Sequence, residues 1–222
     1  MTFSLSSVAI LPTETHRYSI IWLHGLGADG HDFEAIVPQL RLTKQAHIHF
    51  IFPNAPIQAV TINGGMKMRS WYDILERTLE RKVDIAGIYA SAAAINALIQ
   101  QEMEKGIASE NILLAGFSQG GLIALHTGLR YGKKLAGIVA LSTYLPTLTR
   151  LETEAAVANR DIPIFMAHGS LDSVVALQTG KLAFEALKTQ NYPIEWHQYA
   201  MEHSVCLQEI KEIAAFINLR FQ

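Results

Sequence analysis

The sequence predicts an α/β fold built on a mainly parallel sheet with helices on both faces. Short apolar runs of β type alternate with longer helical stretches along the chain, which is the pattern of βαβ units. Most of these runs are continuously apolar rather than alternating, as expected for strands that are buried on both faces. Because no repeat, low-complexity tract or linker interrupts the alternation, we expect a single domain over residues 1–222.

Six predicted strands and four predicted helices account for this alternation. The strands are Tyr18–His24, His47–Phe52, Asn111–Phe117, Ala136–Ser142, Ile162–His168 and Ile194–Ala200. The helices are Val83–Lys105, Gln119–Tyr131, Val174–Gln190 and Val205–Leu219. In the first helix, apolar residues recur at helical spacing between Ile85 and Ile99, which predicts one buried face.

The segment from Pro53 to Trp71 does not fit the alternation. Its prolines and the Gly64-Gly65 pair predict a long loop without regular secondary structure. Met66, Met68 and Trp71 indicate an adaptable apolar surface rather than disorder. Composition alone leaves open whether these side chains border a binding site or close over the core.

Composition excludes several classes of protein. Half of the residues are hydrophobic and 17% are charged, which is an ordinary globular balance. The net charge of −2 gives no electrostatic reason to expect a nucleic-acid partner. With a single cysteine, Cys206, no disulfide can form within the chain, and we expect a cytoplasmic location. No apolar run reaches the length of a membrane span.

A serine lies between two glycines directly after the third predicted strand. The sequence Gly116-Phe117-Ser118-Gln119-Gly120 matches G-x-S-x-G, the nucleophile elbow, in its strand-to-helix context. The tight turn holds the serine Oγ clear of the backbone, where a base can remove its proton. The pentapeptide alone is weak evidence, because roughly one chain in fifteen of this length contains it by chance. The assignment therefore depends on partner residues.

An acid and a base follow the serine in the order that this type of fold requires. Asp172 comes shortly after the strand Ile162–His168, at the sheet edge where functional groups of such folds gather. An aspartate there is also a common helix N-cap, and the sequence leaves that alternative open. Of the two later histidines, His197 lies within a predicted strand, whereas His203 follows its end and can reach the same edge. We therefore predict His203 as the base and Asp172 as the acid that orients it.

Two backbone N–H groups are predicted to stabilise the oxyanion. One is that of Gln119, directly after the serine, and the other is that of Leu26, in the glycine-rich loop after the first predicted strand. That loop has the form G-x-G-x-x-G, but it lacks the acidic ribose partner of a dinucleotide site. No spacing of histidine, cysteine or aspartate resembles a metal site. We expect no cofactor and no metal.

Taken together, these motifs resemble the acyl-protein thioesterase and carboxylesterase family of α/β-hydrolases. The matching segments are Leu23 to Gly27, Val60 to Met66 with Arg69, Trp71, Tyr72 and Asp73, Gly116 to Gly121, His168-Gly169 with Asp172, and His203-Ser204. The resemblance implies an α/β-hydrolase fold, the triad and the oxyanion donors named above, and an acyl-binding groove bordered by Met66, Met68 and Trp71. Because the sequence shows no insertion of the size of a large cap domain, we expect the fold without one. One departure is local, since Ala200-Met201-Glu202 stands where the family usually has a glycine before the catalytic histidine.

The resemblance also implies a function. Members cleave short- to medium-chain carboxylic esters or thioesters through an acyl-enzyme, and some remove palmitoyl groups from proteins or hydrolyse lysophospholipids. The expected partner is an ester or thioester substrate, either a small molecule or a lipidated protein. A transient contact with a membrane surface and a homodimer are left open by the Met/Trp segment. Two alternatives remain: a non-catalytic binding module on the same fold, and a peptidase on that fold.

Overall fold

The computed structural model describes residues 5–76 and 82–222. The domain expected over residues 1–222 thus includes two stretches, 1–4 and 77–81, that lie outside the described residues. The strands are β1 (Ser7–Ile10), β2 (Tyr18–Leu23), β3 (Ile48–Pro53), β4 (Ile57–Val60), β5 (Met66–Arg69), β6 (Ile112–Phe117), β7 (Gly137–Leu141), β8 (Ile164–Gly169) and β9 (Ile194–Tyr199). The α-helices are α1 (Val37–Leu40), α2 (Ile85–Glu104), α3 (Gln119–Arg130), α4 (Leu151–Glu154), α5 (Leu177–Thr189) and α6 (Leu207–Arg220).

Seven strands form the central sheet, in the order β1-β3-β2-β6-β7-β8-β9. Every neighbouring pair is parallel except β1 with β3, which is antiparallel. The prediction of a mainly parallel sheet is therefore confirmed. In such a sheet the carboxyl ends of the parallel strands share one edge, and their amino ends share the other.

The continuous apolar runs are explained by burial on both sheet faces. Along β2, Ile20 and Trp22 pack into one core and Ile21 and Leu23 into the other. One core includes apolar residues of α1 and α6, and the other includes residues of α2, α3 and α5. Helices thus cover both faces, as predicted. No helix within residues 5–76 and 82–222 is long and apolar enough to cross a membrane.

The prediction of an irregular loop from Pro53 to Trp71 is wrong. Strands β4 and β5 pair there as an antiparallel hairpin, joined through a short 3-10 turn at Thr61–Asn63. Gly64 and Gly65 follow this turn with φ of +67° and +77°, a backbone region that glycine enters without steric cost. The hairpin escaped prediction because its two strands are only four residues long and largely exposed, and polar residues interrupt the apolar ones in both.

Two other differences have simple causes. Strand β1 was not predicted, because its four residues lie at the sheet edge and are partly exposed. The helix predicted from Val174 begins only at Leu177. The residues from Asp172 to Ala176 form a turn instead, and this turn carries the predicted acid.

Candidate active site

Ser118 lies in a strained turn between β6 and α3. Its φ of +55° and ψ of −117° are unusual for a residue with a side chain. The two flanking glycines are required by space. A Cβ on Gly116 would overlap the backbone of Gly120, and a Cβ on Gly120 would overlap the carbonyl of Leu23. The turn is further held by the Ser118 N–H, which donates to the Leu141 carbonyl at 2.9 Å.

Asp172 and His203 are in direct contact. The distance from His203 Nδ1 to Asp172 Oδ2 is 2.7 Å. The other carboxylate oxygen accepts the N–H groups of Val174 at 2.9 Å and Val175 at 2.8 Å. The aspartate therefore organises its own turn and also holds the histidine. The alternative that it caps a helix is wrong, because α5 begins at Leu177 with Ala176 as its N-cap.

The surroundings of Asp172 keep it ionised. Burial alone would raise its pKa, but the hydrogen bonds from His168, His203 and the Val175 N–H outweigh burial and hold the pKa well below the usual range of an aspartate. An ionised carboxylate accepts the Nδ1 proton of His203, which leaves the Nε2 lone pair of that ring available as a base.

The loop that carries His203 is fixed by the loop after β8. The Leu171 N–H donates to the Met201 carbonyl at 3.0 Å, and the Ser170 N–H donates to the Tyr199 carbonyl at 2.8 Å. A Cβ on Gly169 would overlap the carbonyls of Met201 and Glu202, so this close approach requires glycine. No residue from 200 to 203 has a positive φ. This backbone path explains why the loop tolerates Ala200-Met201-Glu202 in place of a glycine.

A second histidine, His168, approaches the same carboxylate oxygen of the acid as His203 does. It is fully buried at the end of β8. Its Nε2 lies 2.9 Å from the Val175 carbonyl and 3.4 Å from Asp172 Oδ2. Sequence reasoning assigned it no role beyond its place in the family motif. The sequence did carry a signal for this contact, because a polar residue follows a run of apolar residues at the end of β8, four positions before Asp172.

A cavity of about 630 Å³ opens beside Ser118. Ser118, His203, Leu26 and Gln119 all line it. Much of the remaining wall is apolar or aromatic and consists of Ile62, Tyr72, Ile74, Phe117, Tyr144, Val174 and Ala176. Such a cavity suits an apolar ligand with one polar group at the serine.

The three residues predicted to bind substrate lie outside this wall. Trp71 is 1% exposed, and its Nε1–H donates to the His24 carbonyl at 2.9 Å, so it packs beneath the site. Met66 is 64% exposed at the start of β5. Met68 is partly buried, and its sulfur accepts a hydrogen bond from the Asn63 amide. From this segment the cavity is lined by Ile62 and Asn63 instead.

The side chain of Gln119 joins the hairpin segment to α3. Its Oε1 accepts the Trp71 N–H at 3.0 Å and the Ser70 hydroxyl at 3.2 Å, and its Nε2 donates to the Tyr72 carbonyl at 2.9 Å. Gln119 is also the first residue of α3, so its backbone N–H has no acceptor within the helix. The same residue thus braces the cavity wall and presents a donor at the positive end of the helix.

Comparison with known proteins decides the family. A family model described as phospholipase/carboxylesterase matches residues 6–221. The chain belongs to this family. It is 41% identical to acyl-protein thioesterase 1 of Neurospora crassa over 216 residues. The aligned region covers 92% of this chain and 87% of that protein. The fold matches the crystal structure of Arabidopsis thaliana SOBER1 with a TM-score of 0.88 and 32% identity, over 93% of this chain and all of that one.

A second solved structure extends the likeness to almost the whole chain. Acyl-protein thioesterase 2 of Zea mays aligns with a TM-score of 0.87 and 27% identity, over 99% of this chain and 100% of that one. The predicted resemblance and the α/β-hydrolase fold are therefore confirmed. As a member of the phospholipase/carboxylesterase family, the protein is a hydrolase of esters or thioesters.

Two other histidines of this hydrolase, His197 and His126, do not line the cavity beside Ser118. His197 lies on β9, stacks on Phe165 at 4.4 Å between ring centroids, and pairs with Glu195 and Glu212. His126 is buried on α3, where burial lowers its pKa to about 3. Both are held by structural contacts, which leaves His203 as the histidine beside the serine.

Proposed function

We propose that this hydrolase works through an acyl-enzyme on Ser118, with His203 as general base and Asp172 as the acid that orients it. The observation that carries the proposal is the 2.7 Å contact between His203 Nδ1 and Asp172 Oδ2. His203 and the strained Ser118 also line one cavity. Support comes from the required chain order of serine, acid and histidine.

The proposed reaction has two halves. The Nε2 of His203 takes the proton of Ser118 as the serine oxygen attacks the substrate carbonyl. The resulting oxyanion accepts hydrogen bonds from the N–H groups of Leu26 and Gln119. The bond to the leaving group then breaks, and His203 gives the proton to the departing sulfur or oxygen. In the second half, water attacks the carbonyl of the acyl-enzyme while His203 takes a proton from it. The bond to the Ser118 oxygen then breaks, His203 returns the proton to that oxygen, and the carboxylic acid is released.

We further propose that the natural substrate is the acyl group of a lipidated protein. The curated relative from Neurospora crassa is an acyl-protein thioesterase, and so is the maize protein of known structure. The apolar wall around Ile62, Ile74 and Tyr144 supports an acyl chain as the ligand. Ile57 and Met66, each 64% exposed on the β4–β5 hairpin, support a transient contact with the membrane that carries such a substrate. The free thiol of Cys206 supports the proposed cytoplasmic location.

Covalent labelling tests the nucleophile. A fluorophosphonate probe should add once per chain, and peptide mapping should find the adduct on Ser118. Ser118→Ala should abolish labelling and lower kcat/KM for a palmitoyl-thioester peptide by at least about 10³-fold, because the members of a triad act as a unit.

Ser19→Ala is the matched control. Ser19 is likewise a buried serine, and its hydroxyl donates directly to the Glu102 carboxylate, but it does not line the cavity. This variant should label at the wild-type rate. An adduct that persists in Ser118→Ala would overturn the assignment of the nucleophile. If the labelled wild type cleaved simple esters but no acyl-thioester peptide, the proposed substrate would be wrong, and the assignment of Ser118 as nucleophile would stand.

A further inference from the structure

Two histidines and a glutamate meet at the amino-terminal edge of the sheet, opposite the edge that carries Ser118. His16 lies just before β2, His49 is the second residue of β3, and Glu102 lies in the last turn of α2. One ligand atom of each residue lies within 4.8 Å of the others. Glu102 is 1% exposed and His49 is 6% exposed, whereas the His16 side chain is partly open to solvent.

A serine completes this amino-edge cluster of His16, Ser19, His49 and Glu102. Ser19 and His49 are register partners on neighbouring strands, which places their side chains on the same sheet face. Glu102 Oε2 lies 2.6 Å from Ser19 Oγ, 2.9 Å from His49 Nδ1 and 3.5 Å from His16 Nε2. His16 Nε2 is also 3.0 Å from Ser19 Oγ. Four potential ligand atoms therefore converge on one small volume.

We propose that His16, His49 and Glu102 bind a zinc ion, with Ser19 Oγ or a water molecule as the fourth ligand. With Zn–N and Zn–O bonds of 2.0–2.2 Å, the ligand atoms of a tetrahedral site lie about 3.4 Å apart. The separations in the cluster bracket that value, so small side-chain movements would create the site. Two imidazoles and one carboxylate are also a donor set that suits zinc better than magnesium or calcium.

The helix dipole favours a cation at the cluster, and Lys105 acts on the cluster in two opposing ways. Lys105 Nζ contacts Glu102 Oε1 at 2.6 Å, which orients the carboxylate and leaves Oε2 facing the histidines. The cluster also lies at the C-terminal end of the 20-residue helix α2, where the helix dipole is negative. The Lys105 charge opposes a cation, but its side chain is half exposed, so solvent screens it.

Metal titration of the whole chain tests the site. After treatment with a chelator, the protein should bind one equivalent of Zn²⁺ by calorimetry, and Co²⁺ should give visible absorption bands of a low-symmetry nitrogen-ligated site. His16→Gln should weaken zinc binding by at least about 100-fold, since even the loss of an outer-shell partner costs 10–100-fold. His16 lies outside the strands and is partly exposed, so this variant should fold.

His197→Gln is the matched control. His197 is about as exposed as His16 and contacts the carboxylates of Glu195 and Glu212, but through opposite ring nitrogens, so the three groups cannot chelate one ion. This variant should bind zinc as the wild type does. Lys105→Gln should tighten binding, because it removes a like charge next to the ion.

A thermal shift gives an independent measurement. Zinc should raise the Tm of the wild type and of His197→Gln by several degrees, and it should leave that of His16→Gln unchanged. Absence of binding at micromolar zinc would overturn the proposal. So would binding that persists in His16→Gln, because the ion would then sit elsewhere, for example on His203 and Asp172.

Discussion

The two edges of the sheet carry the same types of residue in different hydrogen-bond orders. At the carboxyl edge, Asp172 holds Nδ1 of His203, and the serine is not bonded to the carboxylate. At the amino edge, Glu102 is central, and it accepts directly from both Ser19 Oγ and His49 Nδ1. The Ser19 hydroxyl thus donates its hydrogen bond to a carboxylate and not to an imidazole. The right residue types therefore do not make a nucleophile by themselves, since the imidazole must lie between the serine and the acid.

Both central carboxylates are buried and nevertheless ionised. Burial alone would raise the pKa of Glu102, but hydrogen bonds from His49, Lys105 and Ser19 outweigh it and lower the pKa to about 2. Asp172 is held well below its usual range for the corresponding reason. The two edges also differ in how accessible their serines are. Ser118 and His203 face a cavity of about 630 Å³, whereas Ser19 is 0% exposed.

Replacing each central carboxylate by its amide should give the largest difference in effect between the two edges. Asp172→Asn should lower kcat by about 10³–10⁴-fold, because the amide no longer holds the productive tautomer of His203. Glu102→Gln should change kcat less than about twofold and destabilise the metal-free fold by roughly 2–3 kcal/mol, because it places an amide group among three donors. Ester turnover and urea unfolding, both measured with chelator present, check the pair.

The decisive outcome is that one variant loses turnover and the other loses stability. Asp172→Asn should keep most of its stability, since an amide oxygen can still accept from Val174 and Val175. If Glu102→Gln lost as much turnover as Asp172→Asn while it remained folded, the amino edge would be coupled to catalysis, and the contrast between the edges would fail.

Among residues 5–76 and 82–222, Glu209 is a third buried carboxylate, and its electrostatics are the opposite. It is 0% exposed in the first turn of α6, and within that part of the chain it accepts from no histidine or serine and one of its oxygens has no hydrogen-bond partner. Burial raises its pKa to about 8, against a weaker opposing effect of the Cys206 N–H. In the unfolded chain a glutamate titrates near 4.3. Between these values the native state holds a proton that the unfolded state has lost, so stability falls as the pH rises.

Glu209→Gln should remove that fall. The variant should match the wild type near pH 4 and exceed it near pH 9 by roughly 2–4 kcal/mol, because the amide carries no charge to desolvate. Urea unfolding at several pH values checks this. Since all other groups titrate equally in both proteins, pH profiles that run parallel would show that Glu209 ionises normally in the fold.

The sequence predicted the carboxyl edge better than the amino edge because the signals differ in range. Ser118 lies in a local motif, and Asp172 and His203 each follow a recognisable strand, so chain order was sufficient to nominate them together. His16, His49 and Glu102 are far apart in sequence, and only the register of β2 with β3 and the end of α2 bring them together. The β4–β5 hairpin was missed although Gly64-Gly65 is a turn signal, because its strands are short and neither is a continuous apolar run.

His168 offers the smallest and most specific test of how the carboxyl edge is held. Its Nε2 lies between the Val175 carbonyl and Asp172 Oδ2, so it positions the acid without touching the cavity. His168→Leu keeps the volume but removes the donor, and it should lower kcat about tenfold with KM unchanged, because the acid remains but is less well oriented. His168→Gln keeps an N–H donor at a similar reach and should recover most of the loss. If both variants lost equal activity in proportion to their loss of Tm, His168 would only fill space, and Asp172 would be held by its own turn alone.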